Sequence, residues 1–339
     1  MTLRLVIFIL SVGVFSGCKK DAPVNSQIEP KPYKLAIPEG FPLPEIPDDN
    51  PLTTEKIALG KRLFNDPILS RDSTISCGSC HFQEFSFSDG KQFSTGINNQ
   101  QVNRNAPALT NMVYEKSLFR DGGAPTLELQ ILAPLDNPLE MDLPIFKVTE
   151  RLQQDEEYVS LFKAVFGSEP NAFGITRAIS AYERTLISGN SRYDQYTFQG
   201  NDNALTKSEI RGMELFFSDS LNCSSCHSGF NFTSNSFENN GIYLNYTDKG
   251  RGRITLKNSD NGKFKIPSIR NINVTAPYMH DGSFVTLNEV IDHYANGGKN
   301  HVNQSQKIKG FVISEQEKQD LINFLGSLTD YEFLTNPDL

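Results

Sequence analysis

Cys77-Gly78-Ser79-Cys80-His81, which returns as Cys223-Ser224-Ser225-Cys226-His227, decides how this 339-residue chain is read. Two cysteines three positions apart lie on one face of a helical turn. From there both thiols can add to the two vinyl groups of a haem, and the next histidine reaches the iron from one side. A zinc knuckle or a redox dithiol is the competing reading. Four-thiolate zinc sites bring their cysteine pairs within about 15–20 residues of each other, whereas Cys80 and Cys223 are 143 apart (223 − 80). A redox dithiol needs no adjacent histidine. The motifs therefore predict two covalently bound haem c groups.

The length suits two domains with separate cores. A net charge of −8 argues against a nucleic-acid partner. Four of the 5 cysteines sit in the motifs, and the fifth is Cys18. Residues 3–17 are apolar apart from Arg4 and too short to span a bilayer comfortably, so residues 1–17 read as a secretory signal. Phe15-Ser16-Gly17-Cys18 resembles a bacterial lipobox, with Phe where Leu is usual. The expectation is a lipid on Cys18 and a membrane-anchored, periplasm-facing lipoprotein, with a soluble periplasmic protein as the alternative. The only membrane contact would then be that anchor. Residues 18–50, rich in proline, read as a tether followed by a wrapping segment.

Residues 51–195 and 196–339 are expected to form the two domains. Thr53, Thr54 and Glu55 open a helix whose apolar face carries Ile57, Leu59, Leu63 and Phe64. Thr206 and Glu209 have capping-box spacing before Ile210, Met213, Leu215 and Phe216. Thr54, Gly60, Leu63 and Phe64 align with Thr206, Gly212, Leu215 and Phe216 at equal intervals, each set preceding its own haem motif. That pattern reads as an internal duplication of one cytochrome-c-like haem domain. Between the halves, 155–166 and 175–187 are amphipathic helices, the first stopped by Gly167, and 188–203 reads as the inter-domain link. Ser314 and Glu317 cap a final helix. Strand signals are sparse, so the fold class is mainly α.

In order, Leu59-Gly60-Lys61-Arg62-Leu63-Phe64, Arg104-Asn105-Ala106-Pro107, Asp121-Gly122, Gln130, Pro134, Glu140-Met141 and Ala276-Pro277-Tyr278-Met279-His280-Asp281-Gly282 resemble the bacterial dihaem cytochrome c peroxidase family, which includes a maturase branch. The resemblance runs from about Leu59 to Leu328. It implies a peroxidatic N-terminal haem with His81 as proximal ligand, and an electron-transfer C-terminal haem with His227 as ligand. It makes Glu140 the distal acid–base and Gln130 its polar neighbour. Splitting an O–O bond requires a proton to move from one oxygen to the other, and a carboxylate can make both transfers. It also implies a calcium ion between the domains, held by the Asn105 side chain and the carbonyls of Thr275 and Pro277, since oxygen ligands suit a hard cation. The partners it implies are hydrogen peroxide and a small cytochrome c or copper-protein donor; a homodimer is compatible with it.

Three positions depart from the family pattern. Many of its peroxidases block the first iron with a loop histidine; Ile97 stands there, so that iron should stay open. A methionine usually ligates the second iron fourteen residues after the histidine of Pro-Tyr-x-His; here Tyr294 (280 + 14) stands there, as in the maturase branch. A phenolate stabilises oxidised iron and should lower the potential relative to methionine. His293 as ligand, or Tyr294 as plain core, are the competing readings. A tryptophan often precedes Asp121-Gly122 and serves as a hopping station; Arg120 replaces it, and a guanidinium cannot be oxidised in that way. His280 is expected to hydrogen-bond near a haem edge, and His301 to be a surface-loop residue.

The expected function is peroxide reduction to water. The alternatives are a maturase-like oxidation of a protein or organic substrate, and a non-enzymatic electron-transfer cytochrome.

Overall fold

A computed structural model describes residues 30–339. The signal reading of 1–17 and the Cys18 anchor lie outside the described residues. In chain order the helices are α1 (Thr54–Asn65), α2 (Leu127–Gln130), α3 (Leu132–Asp136), α4 (Ile145–Gln153), α5 (Glu156–Phe166), α6 (Ala172–Glu183), α7 (Arg192–Thr197), α8 (Lys207–Phe217), α9 (Gly252–Thr255), α10 (Leu287–Ala295), α11 (Glu315–Ser327) and α12 (Tyr331–Thr335). Among the described residues the only sheet is one antiparallel pair, β1 (Phe237–Glu238) with β2 (Phe264–Lys265). The mainly α expectation holds. Among those residues no helix is long and apolar enough to cross a membrane.

The caps form where the side-chain chemistry asks for them. Thr206 and Glu209 close a reciprocal capping box on α8, and Ser314 with Glu317 does the same for α11. Asp155 caps α5, which Gly167 ends at φ +69. The helix expected over 175–187 is instead 172–183, because the Asn171 side chain accepts from Gly174 N at 2.9 Å and starts it earlier.

Two helix crossings organise the molecule. α1 packs across α6, and α8 across α11. At each crossing a glycine lets backbones touch. A Cβ on Gly60 would lie 1.9 Å from Ala178 O, and one on Gly212 would lie 1.9 Å from Asp320 O. One turn on, Phe64 meets Tyr182 at 5.2 Å and Phe216 meets Phe324 at 5.3 Å between ring centroids. The crossings thus match at the glycine and at the aromatic pair one turn on. Each holds the haem motif that follows its first helix.

The halves interlock more than the sequence suggested. The expected link 188–203 contains α7, whose capping box joins Ser191 to Asp194, and Asp194 takes two 2.8 Å hydrogen bonds from fully buried Arg270. A domain boundary at 195/196 therefore falls inside a helix that packs on the second half. Residues 330–339 likewise return to the first half. Asp330 accepts from Ser188 Oγ, Gly189 N and Asn190 N at 2.9–3.0 Å, and Phe333 and Leu334 join the N-terminal core. Phe41 touches Tyr114 of the first half and Phe230 of the second, at 6.0 and 4.7 Å between ring centroids.

Candidate functional site

Both motifs adopt a short 3-10 turn, Cys77–Ser79 and Cys223–Ser225. Cys80 N donates to Cys77 O at 3.1 Å, and Cys226 N to Cys223 O at 3.2 Å, so each pair of thiols leaves the same side of its turn. His81 is paired through Nδ1 with Phe87 O at 2.6 Å, and His227 through Nδ1 with Phe232 O at 3.2 Å. A carbonyl only accepts, so Nδ1 carries the proton and Nε2 keeps the lone pair that a metal needs. Burial pushes the Cys80 thiol up to about 11 and the Cys223 thiol up to about 12. Protonated thiols do not suit a redox dithiol at neutral pH.

A cavity of about 590 Å³ opens against the second motif. Cys223, Cys226 and His227 line it on one side, and Tyr294 of α10 lines it too. His293 does not. Its Nε2 lies 2.9 Å from Asn240 O, and its ring borders a different, surface pocket. The volume, two adjacent thiols and an oriented imidazole fit a thioether-linked haem. The first motif has the same turn, the same oriented imidazole and half-buried cysteines, and fits one as well.

Glu140 faces the first motif, close enough for its charge to act on both Cys77 and Cys80. Burial raises its pKa above the usual carboxylate range, against a 2.7 Å hydrogen bond from Asn137 Nδ2. The loop expected to leave the iron open also holds this carboxylate in place. Ile97 is buried, and its N–H donates to Glu140 O at 2.9 Å. Gly96 permits that approach, since a Cβ there would lie 2.0 Å from Leu139 O. Gln130 ends α2 half-buried, and its side chain makes no hydrogen bond among the described residues.

Asn105, Thr275 and Pro277 line the large cavity together, but a calcium ion does not fit them as they stand. Arg120 Nη2 donates to Asn105 Oδ1 at 2.5 Å, and its Nε donates to Asn105 O at 3.0 Å. Burial first, then the Arg104 charge, lowers Arg120 to about 10, so it is still a cation at neutral pH. A dication sharing that oxygen would face the guanidinium across a buried, poorly screened gap. His280 lines the same large cavity. It stacks on Phe264 at 4.0 Å between ring centroids. His301 pairs with Asn239 Nδ2 at 3.2 Å, so it is packed into its loop.

Two features escaped the sequence reading. Asp121 is fully buried and bridges Arg104 at 2.7 Å and Arg253 at 2.6 Å, while Arg104 also grips Asp248. The Asp-Gly spacing, shared by 121–122 and 281–282, each followed by Thr-Leu at 126–127 and 286–287, was the available signal. The second is Glu183. It is buried near Cys77 with Oε2 lacking a partner among the described residues, and burial lifts its pKa from 4.5 to about 8. Below 4.5 folded and unfolded chains both keep this proton; between 4.5 and about 8 only the unfolded chain loses it. Stability should therefore fall as pH rises through that window. Glu183→Gln should flatten the slope and stabilise the protein by about 3 kcal/mol at pH 7. Melting temperatures at pH 5 and 8 check this; parallel curves for both proteins would contradict it.

A profile described as di-haem cytochrome c peroxidase matches residues 54–203. Over 295 residues, 86% of this chain and 82% of the relative, the sequence is 37% identical to the methylamine utilization protein MauG of Methylorubrum extorquens. It is 33% identical to the cytochrome-c peroxidase IdrP1 of a Pseudomonas species, covering 99% of this chain and 94% of that one. The crystal structure of a MauG-like protein associated with microbial copper homeostasis superposes with a TM-score of 0.84 at 36% identity, covering 90% of this chain and 98% of that one. The diheme peroxidase BthA of Burkholderia thailandensis, at 22% identity and a TM-score of 0.73, shares the fold.

Proposed function

Since the chain belongs to the bacterial dihaem cytochrome c peroxidase family, a family of peroxide-using oxidoreductases carrying haem c, we propose that it reduces hydrogen peroxide to water at the first haem. The observation that carries this reading is Glu140, a half-buried carboxylate held by Asn137 and facing the Cys77–Cys80 turn. Haem c, when bound, supplies the iron at which the O–O bond is cleaved and through which two electrons arrive. Glu140 takes a proton from one peroxide oxygen and returns it to the other, and Gln130 orients the peroxide from α2. His81 Nε2 is kept free for the iron by the Phe87 carbonyl. Two electrons and two protons per peroxide then give two waters. The donor is a small cytochrome c or copper protein, entering at the second half, where Cys223, Cys226 and His227 would hold the second haem and Tyr294, on the wall of the same cavity, would supply a phenolate ligand.

The matched glycine crossings support reading the halves as an internal duplication. The periplasmic address and the Cys18 anchor belong to the same proposal. Calcium is left out of it: the Arg120 guanidinium takes the cation's place. Treatment with a calcium chelator should leave haem spectra and melting temperature unchanged, and a loss reversed by added calcium would overturn that point.

A MauG-type oxidation of a larger or organic substrate is the second reading, favoured by Tyr294 on the cavity wall. Stopped-flow mixing of ferric protein with peroxide, then with reduced cytochrome c, tests the choice. Rapid oxidation of several equivalents of cytochrome c per protein supports the peroxidase. Peroxide-changed haem bands that persist despite cytochrome c support the second reading.

A further inference from the structure

Around the second haem cavity lies a run of side chains that peroxide cleavage does not use. Tyr243 is 36% exposed and lies on the wall of a surface pocket of about 460 Å³. Its hydroxyl donates to Asp281 Oδ2 at 2.5 Å. Its ring lies 5.5 Å from that of Tyr246. The Tyr246 hydroxyl donates to Asn240 Oδ1 at 3.2 Å, and Asn240 lines the haem cavity along with Tyr294. A second route reaches the same pocket. The His293 ring sits 5.2 Å from the Tyr294 ring on one side and borders the pocket on the other. Phenols and imidazole thus connect the cavity wall with the surface.

From this geometry we propose that Tyr243 is a second oxidation site, at which a small electron-rich phenol bound in the surface pocket is oxidised by one electron. The inference rests on the peroxide reading above, because hydrogen peroxide is the oxidant.

The chemistry follows from the phenol. A tyrosine that loses an electron becomes a strong acid, so oxidation at neutral pH requires an acceptor for the hydroxyl proton, and Asp281 is in contact with it. Burial opposes the charge of Asp281, but the hydrogen bond from Tyr243 and the nearby His280 outweigh it and hold the carboxyl below its usual range, ready to accept. In one turn Tyr243 gives its electron to the haem centre oxidised by peroxide and its proton to Asp281. The bound phenol then gives one electron to Tyr243, Asp281 returns the proton, and the phenol's own proton goes to solvent. Two turns consume both oxidising equivalents of one peroxide, so one H2O2 and two phenols give two waters and two phenoxyl radicals.

The pocket suits that substrate. Its volume is in the range of small-molecule sites, about 300–1,000 Å³. Ile242 and Phe284 offer apolar wall for a ring, with His293 and Lys299 beside them for a hydroxyl. A tyrosine that served only to brace the Asp281 turn would need neither the aromatic neighbours nor the pocket.

The test uses the full protein with both haems. Peroxide is added without donor in the presence of a nitroso spin trap, and the tryptic peptides are mapped by mass. The trap adduct is expected on Tyr243. In Tyr243→Phe the adduct should vanish, and oxidation of 2,6-dimethoxyphenol should slow at least about tenfold. An unchanged haem spectrum and melting temperature would show that this variant is folded. Should it fail to fold, the adduct map of the wild type decides alone. An adduct elsewhere, or none while peroxide still changes the haem bands, overturns the relay and leaves the peroxide reading standing. Haem bands that do not respond to peroxide at all overturn that reading first.

Discussion

Glu140→Gln is expected to keep both haems attached and to slow peroxide cleavage about 10²–10⁴-fold, the range of a lost general acid–base. The substitution preserves shape. The glutamine carbonyl can still accept from Asn137 Nδ2, now 2.7 Å from Glu140 Oε1, and the backbone contact with Ile97 N is untouched. What disappears is a group able to take a proton and give it back. Because burial raises the pKa of Glu140, the acid limb of the pH–rate profile should lie above the range of an ordinary carboxylate. On that limb the rate falls as pH drops through the raised pKa, since the protonated carboxyl cannot accept the first proton. The variant should lose the limb along with the rate. Stopped-flow rates of peroxide binding and cleavage between pH 4 and 8 measure both effects. Unchanged turnover with an unchanged limb would remove Glu140 from the mechanism.

Tyr294→Met should raise the potential of the second haem by hundreds of millivolts, given that axial ligands move haem potentials over about 0.8 V. Tyr294 lines the same cavity as Cys223, Cys226 and His227. Methionine exchanges a negative oxygen donor for a neutral thioether, which favours the reduced metal. The near-infrared band of the ferric haem should move to the position typical of thioether ligation. Spectroelectrochemistry of wild type, Tyr294→Met and Tyr294→Phe separates the outcomes. If the phenylalanine variant keeps the wild-type potential and spectrum, Tyr294 is packing alone. The ligand search then turns to Met279, which lines that cavity with Sδ 3.1 Å from Asn240 Nδ2. It does not turn to His293, whose Nε2 is engaged with the Asn240 carbonyl and whose ring faces the surface pocket.

Local chemistry was written in the sequence. The haem-motif turns, the capping boxes of α8 and α11 and the Gly167 stop each depend on side chains within a few residues of the groups they bond. Residue type and spacing suffice to state such features. The aligned Gly60 and Gly212 announced repeated helix segments, but not that each glycine admits the backbone of a helix more than a hundred residues later. The same limit applies at the site. Glu140 and Tyr294 were nameable from their place in a motif, yet nothing in their spacing could say that Ile97 anchors one or that Asn240, bonded to Tyr246, shares a cavity wall with the other. Arg120 shows the reason most directly. As a sequence position it was a missing tryptophan; folded, its guanidinium bonds Asn105 Oδ1, the side-chain oxygen a calcium ion was expected to use. The return of residues 330–339 to the first half is decided in the same way, by apolar surface around Phe87 that only the folded chain exposes to Phe333, 5.8 Å away between ring centroids. Hydrogen bonds within a turn are encoded by neighbours, whereas partners brought together by burial depend on every element packed between them.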